Sequence, residues 1–251
     1  MTPEKPLLPV ALPRIVSSQE WLAARLELLA KEKELTRARD ALNAQRRRLP
    51  MVEVEKDYVF EGPNGPLRLI DLFEDRRQLY VHHFMWIDAL GQGCPSCSLA
   101  ADLSFDNPVN QAELQERDVT FACISRAPFA QIADYKRHRG WSFPWYSSHG
   151  SDFNYDFHAT FDASKGSTVY NYRGKDDWLQ RGMPEELLNG DQPAASVFLR
   201  HGSKVYHAYS AFARGLEQLF MPFNFLDLTP YGRQQEWEDS PEGWPQRPTY
   251  G

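Results

Sequence analysis

Six consecutive residues, Val119-Thr120-Phe121-Ala122-Cys123-Ile124, form an unbroken run with no charged side chain. A strand of this kind has no face for water. It must lie at the centre of a sheet covered on both sides, which points to a layered α/β architecture rather than a one-sided antiparallel sheet. A second run, Leu79 to Trp86, is dense in apolar and aromatic residues and reads as another strand. Between the two lie helical stretches at about 95–104 and through Gln111-Ala112-Glu113-Leu114, the order expected of a crossover between sheet strands.

Other elements are legible around these. Tyr58-Val59-Phe60 and Leu67-Arg68-Leu69 flank a Pro63-Asn64-Gly65 turn, and Asp71-Leu72-Phe73 fits one helical turn. Ala127-Pro128 opens a helix with proline at its first position, Phe129, Ile132, Ala133 and Tyr135 make its core face, and Gly140 closes it. Ser142 to Tyr146 predicts a short strand. Ser196 to Arg200 and Lys204 to Tyr209 predict a hairpin around His201-Gly202-Ser203, and Arg214 to Phe220 begins a closing helix.

Residues 1–16 are proline-rich and read as extended, and residues 17–49 read as one long helix. Ser17-x-x-Glu20 fits a capping box, and Arg46, Arg47 and Arg48 suit the negative end of the helix dipole before Pro50. Trp21, Leu28, Leu35, Leu42 and Leu49 recur every seven residues, with Ala24 and Ala38 between them and Lys31 and Gln45 interrupting the second row. The expected organisation is therefore an arm over 1–50, a globular domain over 51–230 and a loose tail over 231–251.

The 251 residues are 42% hydrophobic and 13% aromatic, enough for a sizeable core. With 28 basic and 34 acidic side chains the net charge is −6, which argues against nucleic acid as a partner. No apolar run approaches the ~18 residues of a membrane helix. Pro6 to Pro13 is apolar but broken by prolines and lacks a signal-peptide pattern, so a cytoplasmic location is expected and no membrane partner.

Three cysteines cannot make a disulfide framework, and a close pair in a reducing compartment reads as catalytic or metal-binding. Cys94-Pro95-Ser96-Cys97 follows a strand ending near Trp86 and enters a helix. Cys94 would stand at the N-cap and Pro95 at the first helical position, where its missing N–H costs nothing. The free N–H groups and positive dipole end would favour a thiolate on Cys94, with Cys97 one turn inside to close an intramolecular disulfide. Zinc and an inert pair are the competing readings. Zinc needs two further ligands, there is no second Cys-x-x-Cys, and His82 and His83 point to opposite faces of their strand, so only one could help.

Gly93-Cys94-Pro95-Ser96-Cys97-Ser98, Ser125-Arg126-Ala127-Pro128, Gly140-Trp141-Ser142-Phe143-Pro144-Trp145, Ser151-Asp152-Phe153-Asn154-Tyr155-Asp156 and Tyr209-Ser210 through Ala213-Arg214-Gly215-Leu216 together resemble one bacterial family. It is the thioredoxin-like domain of unknown function eight-nine-nine, and the resemblance covers nearly the whole chain. It implies a thioredoxin-like three-layer α/β fold with a mixed central sheet, an added N-terminal hairpin and the long N-terminal helix.

Within that superfamily, peroxiredoxins carry Pro-x-x-x-Thr/Ser-x-x-Cys. Gly91 and Ile87 occupy the corresponding places before Cys94, which argues against a peroxide-reducing site. Proline directly after the first cysteine is similar to glutaredoxins and the oxidant DsbA. The superfamily's cis-proline beside the dithiol has its nearest candidate in Pro193, provided a strand starts near Ala194.

The function expected is thiol–disulfide oxidoreduction by Cys94 and Cys97, supported by Pro95, Ser96, Trp86, Arg126 and Pro193. It acts on a protein or small-molecule thiol or disulfide and uses no bound cofactor or metal. The alternative is a thioredoxin-like binding or assembly module that uses its groove and N-terminal helix to hold a partner. Independently of that choice, the thin seam of residues 17–49 can be covered by the chain's own core or across a two-fold axis, and a homodimer through these residues is favoured. Cys123 reads as a buried core residue, Arg126 as a partner for a carboxylate or for the site, and His207 as a packed or edge residue. Asp152-x-Asn154-x-Asp156 is no EF-hand, because Phe157 and Ala163 stand where glycine and glutamate are needed, and reads as a tightly hydrogen-bonded segment.

Overall fold

The computed structural model describes residues 11–246. Most of the proline-rich segment expected to be extended, residues 1–10, and the end of the expected tail, residues 247–251, lie outside the described residues. The chain divides into two compact units, Pro50–Met221 and the combination of Met1–Leu49 with Pro222–Gly251.

In the second of these units, helix α1 spans Ser18–Arg46. The capping box forms as the sequence predicts. Glu20 N–H donates to Ser17 Oγ at 3.3 Å, and Ser17 N–H donates to Glu20 Oε2 at 3.0 Å. No residue of α1 is buried, and Trp21, Leu28, Leu35 and Leu42 are all exposed. Residues 227–244 of the same unit are turns held by a two-point ion pair from Arg233 to Asp227 at 2.6 and 2.7 Å and by an edge-on Tyr231–Trp244 contact.

The Pro50–Met221 unit is built on one sheet. In chain order its early elements are β1 (Val52–Glu53), β2 (Val59–Gly62), β3 (Gly65–Arg68), β4 (Gln78–His83), β5 (Trp86–Ile87), β6 (Gln92–Gly93), α2 (Pro95–Ala100), α3 (Pro108–Glu116), β7 (Val119–Ser125), α4 (Phe129–Arg139) and β8 (Trp145–Ser147). They are followed by α5 (Phe153–Asp156), β9 (Thr160–Phe161), β10 (Val169–Tyr170), β11 (Arg173–Gly174), α6 (Lys175–Gln180), β12 (Gly190–Asp191), β13 (Ala194–His201) and β14 (Lys204–Phe212). A last helix, α7 (Met221–Leu226), starts where this unit ends.

The eight-stranded sheet runs β1-β14-β13-β4-β7-β8-β2-β3. It is mixed: β7 pairs in parallel with β4 and with β8, and the other pairings are antiparallel. Strand β7 is central and covered on both faces, which accounts for its continuous apolar sequence. Alternation sends Phe121 and Cys123 into one core, with Cys94, Cys97, Phe105, Trp141 and Trp145, and sends Ala122 and Ile124 into the other, with Phe60, Phe73, Phe153 and Phe198. His82 and His83 divide in the same way, the first against Phe105 and the second against Phe153. This is a thioredoxin-like α/β fold. Among the described residues no helix is long and apolar enough to cross a membrane.

Helix α4 shows how local sequence sets a boundary. Its end is fixed by Gly140 at φ +75°, a left-handed position that a side chain would strain. Its start differs by one residue from the expectation, since Pro128 is the N-cap rather than the first helical residue. The strand expected over Ser142 to Tyr146 is shorter and later, Trp145–Ser147, because Pro144 has no N–H to give the ladder and offers only its carbonyl, which accepts Cys123 N–H at 2.9 Å. The run Leu79 to Trp86 breaks after His83, where the chain leaves the sheet and Trp86 re-pairs with Gly93. The closing helix over Arg214 to Phe220 is a 3-10 stretch, Ala213–Leu219, anchored by buried Leu216. Residues 153–191, given only a hydrogen-bonded start by the sequence, form an excursion with a small core of Ala159, Phe161, Tyr170 and Leu188, closed by Ala194 and Phe212.

Candidate redox site

Strand β4 delivers the chain to Phe84, and the β5–β6 ribbon then turns it back to the dithiol. Gly93, last residue of that ribbon, is buried where a Cβ would lie 2.6 Å from Phe84 Cε1 and 3.1 Å from Tyr135 Cε1. Only glycine lets the backbone pass this ring. We expect Gly93→Ala to cost about 1–3 kcal/mol through overpacking, read as a lower urea midpoint with unchanged m-value.

Beyond Gly93, Cys94 N–H donates to Met85 O at 3.0 Å, which ties the first cysteine to the end of the sheet. Cys94 is extended and caps α2, Pro95 takes the first helical position, and Ser98 N–H donates to Cys94 O at 2.9 Å. The helix continues through a π-turn, Ala101–Phe105, so the helical segment predicted over 95–104 is present. Ser98 Oγ and Tyr135 Oη, 3.0 Å apart, bond α2 to α4.

The two thiols are alike in burial and differ in their ease of ionisation. Cys94 is 5% exposed beside exposed Pro95, while Cys97 is 3% exposed on the inner side of the turn. The Cys97 thiol, followed by the N–H groups of Cys97 and Ser96, favours a thiolate on Cys94 and lowers its pKa to about 6 against the opposing effect of burial. No N–H group closes a direct capping bond on Sγ, so the backbone acts at longer range. Cys97 is pushed the other way, well above the ordinary thiol range, by holding its proton towards Cys94 and by burial. All three cysteines are free. Cys123 is fully buried in the same core, as expected, and burial raises its pKa, so it is no nucleophile.

The model of the family described as "Bacterial protein of unknown function (DUF899)" matches residues 10–250. The chain belongs to this family. Comparison with the curated proteins finds no match. Among solved structures, a cysteine-to-serine mutant of Xanthomonas campestris peroxiredoxin Q superposes with a TM-score of 0.41 at 12% identity, covering 64% of this chain and 84% of that one. Peroxidoxin BcpB from Mycobacterium tuberculosis gives 0.39 at 16% identity, covering 68% and 94%. A Chlorobium tepidum protein provisionally named thiol:disulfide interchange protein DsbE gives 0.35 at 12% identity, covering 69% and 97%.

In this DUF899 chain the other residues singled out from the sequence fall around the dithiol in different ways. Trp86 is buried in the same core as Cys94, with its ring against Tyr135 and Trp145 at centroid distances of 5.6 and 6.4 Å. Arg126, just past β7, does pair with a carboxylate. Its Nε donates to Asp191 Oδ1 at 2.6 Å, and the guanidinium also donates to Tyr155 Oη and lies over that ring. Asp191 in turn accepts Thr160 Oγ1–H at 2.8 Å and, more weakly, Trp86 N–H at 3.4 Å. Arg126 touches neither cysteine in any contact of the described residues; it lies on Asp191, whose other oxygen meets the β5 backbone, and 3.9 Å from Asp88 Oδ2.

Strand β13 starts at Ala194, the condition set for Pro193. The peptide bond before Pro193 is nevertheless trans, as are all those of the described residues, and the Pro193 carbonyl is taken by Tyr170 Oη at 2.8 Å. The Asp152-to-Asp156 segment is tightly bonded, with both carboxylates on Lys56 Nζ at 2.6 and 2.8 Å and buried Asn154 on Ser148. His207 is packed against Phe157 and Phe198. Asp191 and Met85 were not foreseen, and Tyr135 was read only as a core-facing residue of its helix. Their roles depend on contacts across 105, 9 and 37 positions of chain, and no spacing rule encodes those.

Proposed function

We propose that the protein is a thiol–disulfide oxidoreductase in which Cys94 attacks and Cys97 resolves. The observation that carries this reading is the placement of the two thiols on α2: Cys94 caps the helix beside exposed Pro95 and Cys97 stands one turn inside, both buried, the first with a lowered pKa and the second holding its proton. In the reaction the Cys94 thiolate attacks one sulfur of a substrate disulfide, forming a mixed disulfide and expelling the other sulfur as a thiolate. Cys97 loses its proton to that leaving thiolate and attacks Cys94 Sγ, breaking the mixed disulfide; the second substrate sulfur leaves as a thiolate that takes a proton from water, and the protein keeps a Cys94–Cys97 disulfide. Two electrons pass to the substrate, and a thiol reductant, either small or a protein dithiol, returns them. Run backwards, the same steps oxidise a substrate dithiol. No cofactor enters, and the cytoplasm is the compartment this reading implies.

The deciding experiment is the reduction potential of the couple in the full chain, followed by thiol labelling against glutathione buffers. A value between about −270 and −120 mV is expected, the range of known exchange enzymes. Failure to form the Cys94–Cys97 disulfide under mild oxidant overturns the reading.

A second reading, an assembly module, draws on one observation: the heptad seam of α1 is exposed along its length. Packing rather than propensity stabilises such helices, and two-fold pairing is the commonest way to cover one. We expect a homodimer through residues 17–49, converted to a monomer by deletion of residues 1–49. Light scattering that shows the intact chain monomeric at micromolar concentration removes the dimer.

A further inference from the structure

The core on the other face of the sheet from the dithiol holds a polar chain that the redox chemistry does not use. It crosses three neighbouring strands, β14, β13 and β4. His207 Nε2 lies 2.8 Å from Ser210 Oγ, Ser210 Oγ 3.0 Å from Ser196 Oγ, and Ser196 Oγ 2.9 Å from His83 Nε2. Strand register makes this arrangement, since Ser196 pairs directly with Ser210.

A neighbouring carbonyl fixes the direction at the His207 end of the chain. His207 Nε2 is also 3.1 Å from Tyr209 O, and a carbonyl can only accept, so Nε2 carries the ring proton. Ser210 then accepts from His207, and its hydroxyl is tied in turn to Ser196 and, through it, to His83 Nε2. Burial lowers the pKa of both imidazoles, which keeps them neutral. His207 Nδ1 is left as an acceptor whose ring is fixed by the chain behind it.

His207 and Ser210 line a cleft of about 520 Å³, within the size range of small-molecule sites. Phe157, Tyr172 and Phe212 supply flat apolar walls. His158 and Tyr172, on its edge, hold φ +56° and +60°, a backbone that residues with side chains rarely adopt and that recurs at binding sites. The lining carries three carboxylates: Glu53 is paired with Lys204 and Asp156 with Lys56, each at 2.8 Å, which leaves Glu55 as the uncompensated negative charge.

We propose that this cleft is a second binding site, for a small flat ligand, neutral or cationic, whose phenolic hydroxyl donates to His207 Nδ1. The aromatic walls select a planar ring, the bare imidazole nitrogen selects a donor, and the negative charge of Glu55 rejects carboxylates.

The test uses 2-naphthol, 2-naphthoate and naphthalene as probes on the full chain. Binding is read by probe fluorescence and by the Nδ1 resonance of His207 in nitrogen-15 NMR. Saturable binding of 2-naphthol is expected, with naphthalene about three- to tenfold weaker for want of one hydrogen bond and 2-naphthoate weaker still. His207→Phe should weaken 2-naphthol by the same factor while the Cys94–Cys97 pair oxidises at an unchanged rate. If that variant does not fold, the wild-type resonance decides: 2-naphthol must move His207 Nδ1. Absence of saturable binding, equal affinity for 2-naphthoate, or an unmoved Nδ1 resonance overturns the proposal.

Discussion

Cys94→Ser is expected to lower the rate of disulfide exchange by more than about 100-fold, because it removes the nucleophile itself. Cys97→Ser is expected to accumulate mixed disulfides on Cys94, since attack survives and resolution does not. Equal trapping by the two variants would remove the assignment of roles. The pH dependence follows from the lowered pKa of Cys94: alkylation by iodoacetamide should rise through pH about 6 and level off above about 7. The largest cause is the Cys97 side chain, so Cys97→Ala should move that midpoint up towards the ordinary thiol value of about 8.5.

Linkage fixes the sign for stability. A thiol whose pKa falls on folding stabilises the native reduced chain above its unfolded pKa, and that contribution is lost as pH drops through about 6. Cys97 is the opposite case. Its contribution is present below the ordinary thiol range and is lost as pH rises through its raised value. Stabilising the reduced form through Cys94 makes the disulfide more oxidising, which favours the upper part of the expected range of potentials.

Asp191→Ala should be the most damaging single change outside the dithiol, at about 3–5 kcal/mol. The carboxylate is 3% exposed and its Arg126 partner 22%, so truncation leaves a largely desolvated guanidinium without its counter-charge and takes the acceptor from Thr160 and Trp86. Because that guanidinium keeps some contact with water, the lower end of the range is the better guide. Burial, the largest effect, nevertheless raises the pKa of Asp191. For an acid raised on folding, stability is greatest below the unfolded pKa of about 3.9 and is lost as pH rises through the native value. The pair thus pulls two ways: burial opposes the Asp191 charge, while Arg126, despite its own desolvation, has its pKa raised by Asp191. The double change Arg126→Met with Asp191→Leu should accordingly come out near neutral in urea unfolding, while both single changes are severe. A double variant as unstable as Asp191→Ala would show the pair to be a true stabilising element.

The parts of the fold readable in advance were those governed by local rules. The unbroken apolarity of Val119 to Ile124 announced a central strand, Ser17 and Glu20 a helix start, Gly140 a helix end and Cys94-Pro95 a cap followed by a first turn. Where backbone hydrogen bonding overrode side-chain pattern, the reading failed. Pro144 delayed a strand, and β4 ends at His83, with Phe84 N–H still donating to Ile124 O at 2.8 Å, although Phe84 and Met85 are as apolar as what precedes them. The excursion over residues 153–191 is a chain of two-residue strands and short turns, too brief for any period to show. In the site, the dithiol lies in one sequence window and was legible. Asp191, which holds the ribbon beside it, comes from the end of that excursion and was not.

The spacing of the cysteines has a consequence for how much the fold depends on a bond between them. A covalent bridge from the N-cap to the next turn of the same helix encloses so short a stretch that it hardly restricts an unfolded chain, and the entropic benefit of cross-linking grows with the enclosed length. The native state is therefore assembled by the two aromatic-rich cores on either side of β7, with the sulfurs still as thiols. Under the proposed redox role, a Cys94–Cys97 bond would open and close without putting that architecture at risk.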